Sequence, residues 1–268
     1  MPEKPAAREW SKRYSMDVIE QIARLWPRNG KAIALTGAGM SVASGIPDFR
    51  SPGGLWSRYD PMQVATAEAL DDNPAAVWDF LMDAVRVMDA ASPNPAHLAL
   101  ARLEREGLLE AVVTQNIDGL HQRGGSSNVV EFHGSMSSYH CNTCKEPYPA
   151  SQASAITTAT APWRCSCGGV VRPDIVFFGE AIPLDALNKS GQLASGAALL
   201  LIAGTSCEVA PANALPALCN RTGGKVVEIN VQSSRMAHLC EAVASGKAEE
   251  LLPRLADLLL GTRNHTAR

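Results

Sequence analysis

Apolar residues fall along this chain in two rhythms. Short continuous runs occur at Ala32-Ile33-Ala34-Leu35, Ala111-Val112-Val113-Thr114, Val129-Val130-Glu131-Phe132, Ala197 to Ala203 and Lys225-Val226-Val227-Glu228-Ile229. Their length and branched residues predict strands buried on both faces, as in a parallel sheet. Longer stretches carry apolar residues at helical spacing. Met16 to Trp26 does so through Val18, Ile19, Ile22 and Leu25, and Pro74 to Met88 through Trp78, Phe80, Leu81 and Val85. Met62 to Leu70, His97 to Glu106 and Ala248 to Leu260 show the same period, with Pro27, Gly30, Pro93, Pro95 and Gly107 as punctuation. Residues 1–14 are polar and predict a flexible arm. Residues 52–110 contain no strand pattern and predict a helical module inserted after the first strand turn. Residues 135–172 lose the alternation, and Asp174 to Phe178 forms a further apolar run ending at Gly179-Glu180. The whole predicts an α/β fold around a parallel sheet.

The first strand runs into Thr36-Gly37-Ala38-Gly39-Met40-Ser41 and on through Gly45-Ile46-Pro47-Asp48-Phe49-Arg50. Glycines at 37 and 39 allow a sharp turn and close approach to a pyrophosphate at a helix start. The dinucleotide fingerprint asks for a third small residue at position 42, where Val42 stands. Arg50 can pair with a phosphate through its planar fork, Phe49 can cover a ring or exclude water, and Asp48 can hold a polar group. The other strands end similarly, at Gln115-Asn116-Ile117-Asp118, at Gly204-Thr205-Ser206 and at Asn230. Any one of these is an ordinary turn. Together, at the carboxyl ends of a parallel sheet, they predict one large phosphate-bearing ligand.

Composition narrows the class. The chain has 268 residues, is 46% hydrophobic and carries a net charge of −3, which describes an ordinary globular protein and speaks against direct nucleic-acid binding. No apolar run reaches the roughly 18 residues of a membrane span, and Met1-Pro2-Glu3-Lys4 lacks the apolar core of a signal peptide. A cytoplasmic location is expected, where the seven cysteines stay reduced and metal binding outweighs disulfides. Cys141-Asn142-Thr143-Cys144 and Cys165-Ser166-Cys167 bracket a short gap, a spacing that predicts a structural zinc site with four thiolates and no open position. Cys207, Cys219 and Cys240 are expected in the core. Among the histidines, His133 closes an apolar strand, where a neutral imidazole can serve as a general base near pH 7. Asn116 and Asp118 end the neighbouring strand and can hold a carboxamide or a ribose. His121 either supports them or caps the next helix.

Taken in order, these motifs resemble the sirtuins, NAD-dependent protein lysine deacylases. The matching segments are Gly37 to Ser41, Gly45 to Arg50, Gln115 to His121, Phe132-His133-Gly134, the four cysteines, Arg172 to Glu180, Gly204-Thr205-Ser206 and Ile229-Asn230. The resemblance runs from about residue 16 to 258. It implies a Rossmann-like NAD-binding domain from 15–51, 111–134 and 173–262. The helical insert at 52–110 and a zinc ribbon at 135–172 would make up a smaller domain. It implies NAD as co-substrate, a structural Zn2+, and acyl-lysine proteins or peptides as partners, without membrane attachment. His133 would match the base that activates a ribose hydroxyl. Asp118 would hold the carboxamide, with Asn116, Gln115 and Ile117 about the nicotinamide ribose. Phe49 would shield the reactive face after nicotinamide leaves. Gly37, Ala38, Gly39, Ser41, Asp48, Arg50, Gly204, Thr205 and Ser206 would hold phosphate or position the cofactor, and Asn230 and Ala248 its adenosine end. Val176, Phe178 and Gly179 would line the acyl channel and pair with the substrate backbone as an added strand. Cleaving nicotinamide away, rather than holding it for hydride transfer, would free the loop after the glycines to depart from the fingerprint at Val42.

Sirtuins that favour dicarboxylic acyl groups resemble one another in a Tyr-x-x-Arg pair, where this chain has Leu81 and Ala84. An acidic acyl tail would be buried without a partner, so uncharged acyl groups are expected, acetyl first. The main rival is a protein mono-ADP-ribosyltransferase on the same scaffold. A non-catalytic nucleotide sensor and a hydride-transferring dehydrogenase are the others.

Overall fold

The computed structural model describes residues 18–48, 54 and 57–266. The arm at 1–14, and Phe49 and Arg50, lie outside the described residues. After helix α1 (residues 18–25) comes β1 (Ala32–Thr36), buried at every position. The next four helices are α2 (Pro61–Val64), α3 (Ala67–Asp72), α4 (Pro74–Ala90) and α5 (Pro95–Arg105). Strand β2 (Ala111–Thr114), the short helix α6 (Leu120–Arg123) and β3 (Val129–Glu131) follow. The middle of the chain holds β4 (Gly134–Cys141), β5 (Pro147–Pro149), α7 (Ala150–Ala153) and β6 (Val171–Ile175). The chain closes through α8 (Leu184–Gly196), β7 (Leu199–Ala203), α9 (Ala214–Arg221), β8 (Lys225–Asn230), β9 (Ala242–Ser245) and α10 (Ala248–Thr266).

The main sheet is parallel throughout, in the order β3-β2-β1-β7-β8-β9. From β1 the chain adds β2 and β3 on one side and later β7, β8 and β9 on the other. The order therefore reverses between β1 and β7, and a crevice opens there beyond the strand ends. Thr36 pairs with Ala203 in that register, so the loops at 37 and 204 leave the sheet side by side. One apolar core lies under α1, α5 and α10, the other under α8 and α9.

The smaller module has its own core, joining Val64, Leu70, Val77, Trp78, Phe80 and Leu81 to Tyr139 and Val171 of an antiparallel sheet ordered β5-β4-β6, and to Phe177 just beyond it. Trp78 Nε1 donates to the Val171 carbonyl at 3.0 Å, tying the helical insert to the cysteine-bearing ribbon. Several details differ from the sequence-based expectation. Met62 to Leu70 is broken at Thr66, whose side chain caps α3 by accepting from the Ala69 N–H at 2.9 Å. Helix α5, expected within the insert, packs in the core with α10. β6 straddles the expected boundary at 172/173. The edge strand β9 was not expected, because four residues of Ala-Val-Ala-Ser carry too little pattern. Among the described residues no helix is long and apolar enough to cross a membrane.

Candidate active site and metal centre

The glycines after β1 act mainly through contact with a second loop. Gly37 is extended rather than left-handed, and Ala38–Met40 and Val42–Ser44 form two 3-10 turns in place of a continuous helix start. A Cβ on Gly39 would lie 2.9 Å from both Cα and O of Gly204, and one on Gly37 would lie 2.8 Å from Thr205 Cβ. The Gly39 N–H donates to the Gly204 carbonyl at 2.8 Å. Gly204 itself has φ +62°, which favours glycine, and its own Cβ would meet the Met40 nitrogen at 2.4 Å. The turn is braced from behind by Asn94, whose Nδ2 donates to the Met40 carbonyl at 2.7 Å and to Ser44 Oγ at 3.0 Å. Val42 is 49% exposed, so the position the fingerprint reserves for a small residue is under no packing pressure here.

The loop after β2 is fixed on the same turn. Asn116 Nδ2 donates to the Gly37 carbonyl at 3.0 Å and to Ser41 Oγ at 3.1 Å, and Ser41 Oγ donates to Asp118 Oδ2 at 2.6 Å. Asp118 Oδ1 accepts from the Leu120 N–H at 2.9 Å. Gln115 Nε2 donates to Thr205 Oγ1 at 2.9 Å. His121 lies beneath, 2.9 Å from Thr36 Oγ1 and edge-on to His97 at 4.9 Å between centroids. It supports the floor from within the buried interior.

His133 follows Phe132, whose ring meets the imidazole edge-on. Its Nδ1 lies 3.2 Å from the Gln115 carbonyl, which can only accept, so Nδ1 carries the proton and Nε2 holds the lone pair. Burial lowers the His133 pKa below its ordinary value, against the opposing pull of the Gln115 carbonyl, so the ring is a neutral base at pH 7. Gly134 turns the chain at φ +75°, where a Cβ would lie 2.0 Å from the Asp174 carbonyl. The His133 carbonyl then accepts from the Val176 N–H at 2.9 Å, and the Phe178 N–H donates to the Ala65 carbonyl at 2.8 Å. The segment 176–179 thereby spans the gap between the two modules.

All the described residues expected in the site line one cavity of about 1400 Å3: Gly37 to Gly39, Ser41, Asp48, Gln115 to Asp118, His133, Val176, Phe178, Gly179, Gly204 to Ser206, Asn230 and Ala248. Asn94, His97 and Glu228, which brace this cavity, carried no sequence signal as site residues. Asn94 lies between Pro93 and Pro95, which mark in the sequence only a break between helices.

The four thiols converge as well. Cys141, Cys144, Cys165 and Cys167 place their sulfurs within 4.8 Å of one another, with 3.5 Å between Cys141 and Cys167 and 3.6 Å between Cys144 and Cys165. Tetrahedral zinc with Zn–S bonds of about 2.3 Å separates its sulfurs by roughly 3.8 Å, so the set fits Zn2+. Gly169 permits the approach, since a Cβ there would lie 2.6 Å from Cys141 Sγ.

A family model described as the Sir2 family matches residues 37–211. The chain is 43% identical over 248 residues to NAD-dependent protein deacetylase 1 of Pyrobaculum aerophilum, covering 92% of this chain and 97% of that protein. A solved structure described as the structural basis for the mechanism and regulation of Sir2 enzymes matches with a TM-score of 0.87 at 38% identity, over 92% of this chain and 99% of the other. A Sir2 homologue–NAD complex matches with a TM-score of 0.82 at 35% identity, over 91% of this chain and 94% of the other.

Proposed function

Since the chain belongs to the Sir2 family, we propose that it is an NAD-dependent protein lysine deacylase, releasing nicotinamide and free lysine as the acyl group passes to ADP-ribose. The observation that carries this reading is the convergence of the His133 lone pair with Asn116, Asp118 and the glycine turn on one cavity. Its volume of about 1400 Å3 exceeds the roughly 300–1,000 Å3 of an ordinary small-ligand pocket, which leaves room for a dinucleotide and an acyl-lysine together.

NAD would supply the nicotinamide–ribose bond that breaks and the ribose hydroxyl that receives the acyl group. His133 Nε2 would accept the proton from that hydroxyl, with the Gln115 carbonyl holding the tautomer. Asp118 and Asn116 orient the carboxamide and ribose, and their bonds to Ser41 and Gly37 keep them from turning away. Gly204, Thr205 and Ser206 would hold the phosphates, and Asn230 and Ala248 the adenosine end. The segment Val176 to Gly179, exposed at Phe178 and Gly179, would take the substrate backbone as an added strand. A cytoplasmic location suits seven cysteines of which none is in a disulfide.

Leu81 and Ala84 line the cavity with Ala65, Val87, Met88 and Met136 from the smaller module. Nothing among these side chains can pair with a carboxylate, so the acyl preference is for uncharged groups.

Nicotinamide release from NAD, with and without an acetyl-lysine peptide, tests the reading in the wild type and in His133→Ala. Peptide-dependent release that the variant loses is expected, with a succinyl-lysine peptide turned over more slowly than its acetyl counterpart. Release indifferent to peptide, with label from NAD ending on protein, would point to an ADP-ribosyltransferase instead.

A further inference from the structure

Glu228 is the only fully buried carboxylate among the described residues, and no lysine or arginine pairs with it there. It stands on β8, two positions before Asn230, and does not itself line the cavity. Its Oε1 accepts from Asn230 Nδ2 at 2.9 Å and from the Ser234 N–H at 2.6 Å. Its Oε2 accepts from Ser234 Oγ at 2.7 Å and lies 3.8 Å from Cys240 Sγ. A buried charge satisfied by neutral donors alone is costly, and what those donors share is a loop. Asn230 Nδ2 divides its two protons between Glu228 and the Thr205 carbonyl, 3.0 Å away. Ser234 anchors residues 231–235, and the Arg235 N–H donates to the Ser206 carbonyl at 3.0 Å. Ser206, Asn230, Gln232, Ser233 and Arg235 all line the cavity. From Thr205 the same bonds continue through Gln115 to His133.

We propose that Glu228 is a positioning residue for the dinucleotide. It holds the two loops at 204–206 and 230–235 in the shape that receives the adenosine end, and it does so without touching the ligand. This rests on the NAD-dependent reading given above. A carboxylate accepts from the Ser234 amide, the Ser234 hydroxyl and the Asn230 amide at once, so it fixes side chain and main chain together, which an apolar residue of equal size could not do.

The test compares wild type, Glu228→Leu, Glu228→Gln and Ser234→Ala in the full chain. Four quantities are read: the NAD Kd by calorimetry, the KM for NAD, the KM for an acetyl-lysine peptide, and kcat. Glu228→Leu is expected to raise the NAD Kd and KM about tenfold or more, since each lost hydrogen bond accounts for roughly a fivefold effect. Peptide KM and kcat should stay within about twofold. Glu228→Gln keeps a carbonyl for Asn230 and the Ser234 amide, and its NH2 can donate to Ser234 Oγ, so most of the affinity should return. Ser234→Ala, which perturbs the fold least, should weaken NAD about fivefold. An NAD Kd unchanged in both Glu228→Leu and Ser234→Ala would overturn the proposal, as would equal losses in NAD and peptide. If wild type releases no nicotinamide with peptide, the deacylase reading fails by itself, and the calorimetric comparison still decides the role of Glu228.

Discussion

The contact between the two glycine loops can be measured by adding a single methyl group. In Gly39→Ala the new Cβ would lie 2.9 Å from the Gly204 Cα and carbonyl oxygen, where ordinary contact begins near 3.4 Å. Gly39 is outside the left-handed region, so alanine brings no backbone strain of its own, and the atoms it meets are main chain that cannot swing aside. The loops must therefore separate by about 0.5 Å, lengthening the 2.8 Å bond from the Gly39 N–H to the Gly204 carbonyl. Overpacking of this kind costs about 1–3 kcal/mol and a weakened hydrogen bond about 1 kcal/mol more. For a chain of 268 residues, with an unfolding entropy of about 2.1 cal/mol/K per residue, that corresponds to a fall in Tm of roughly 4–7 °C. Because the same two loops form the crevice at the strand reversal, the KM for NAD should rise about tenfold or further. Differential scanning calorimetry and the nicotinamide assay read the two effects. Gly191→Ala is the control: it lies within α8 with nothing within 4 Å of its added Cβ, and should stabilise by about 0.5–1 kcal/mol. A Gly39→Ala protein that melts and binds NAD like wild type would refute the claim that backbone contact, rather than the ligand, demands glycine at 39.

Two further outcomes follow from buried groups. Burial lowers the pKa of His121 to about 3, with His97 as a second cause, and that of His97 to about 4, while both rings take up protons near pH 6.5 when unfolded. Their stability is thus complete above pH 6.5 and drains as pH falls toward 4, at up to about 1.4 kcal/mol per pH unit for each ring; a urea midpoint that does not move between pH 7 and 5 would contradict this. Chelating the zinc should unmake the β5-β4-β6 sheet and leave the parallel sheet standing. A thiol reagent should then find four more reactive cysteines than in the metal-loaded protein, and a chain that never carried zinc, or whose thiol count stays constant, would defeat the assignment of Cys141, Cys144, Cys165 and Cys167.

The central strands were legible because burial on both faces leaves an unbroken apolar run, as in Leu199 to Ala203, and the polar residues that end them mark the crevice. The zinc ligands were legible because chelation requires short spacing within each pair. What periodicity cannot specify is the partner. Helices α4 and α5 look alike in sequence, yet one packs in the smaller module and the other beside α10. The glycines at 37 and 39 were visible, but the contact that requires them lies more than 160 residues away at Gly204. Asn94 and Glu228 were hidden for a similar reason, since neither a break between two prolines nor a single acid within an apolar strand names a partner. Only their distant or folded partners, Met40, Ser44, Asn230 and Ser234, reveal what they hold.

His133, the proposed base, also tethers Val176 through its own carbonyl, at the head of the segment proposed to receive a substrate chain. On the proposed reading, proton acceptor and docking rail would be one covalent unit, and a guest that pulls on Val176 would pull on the backbone of its base. Trimming the ring at position 133 should then silence the chemistry while sparing the rail, which would suit such a variant to capturing guests that it can no longer process.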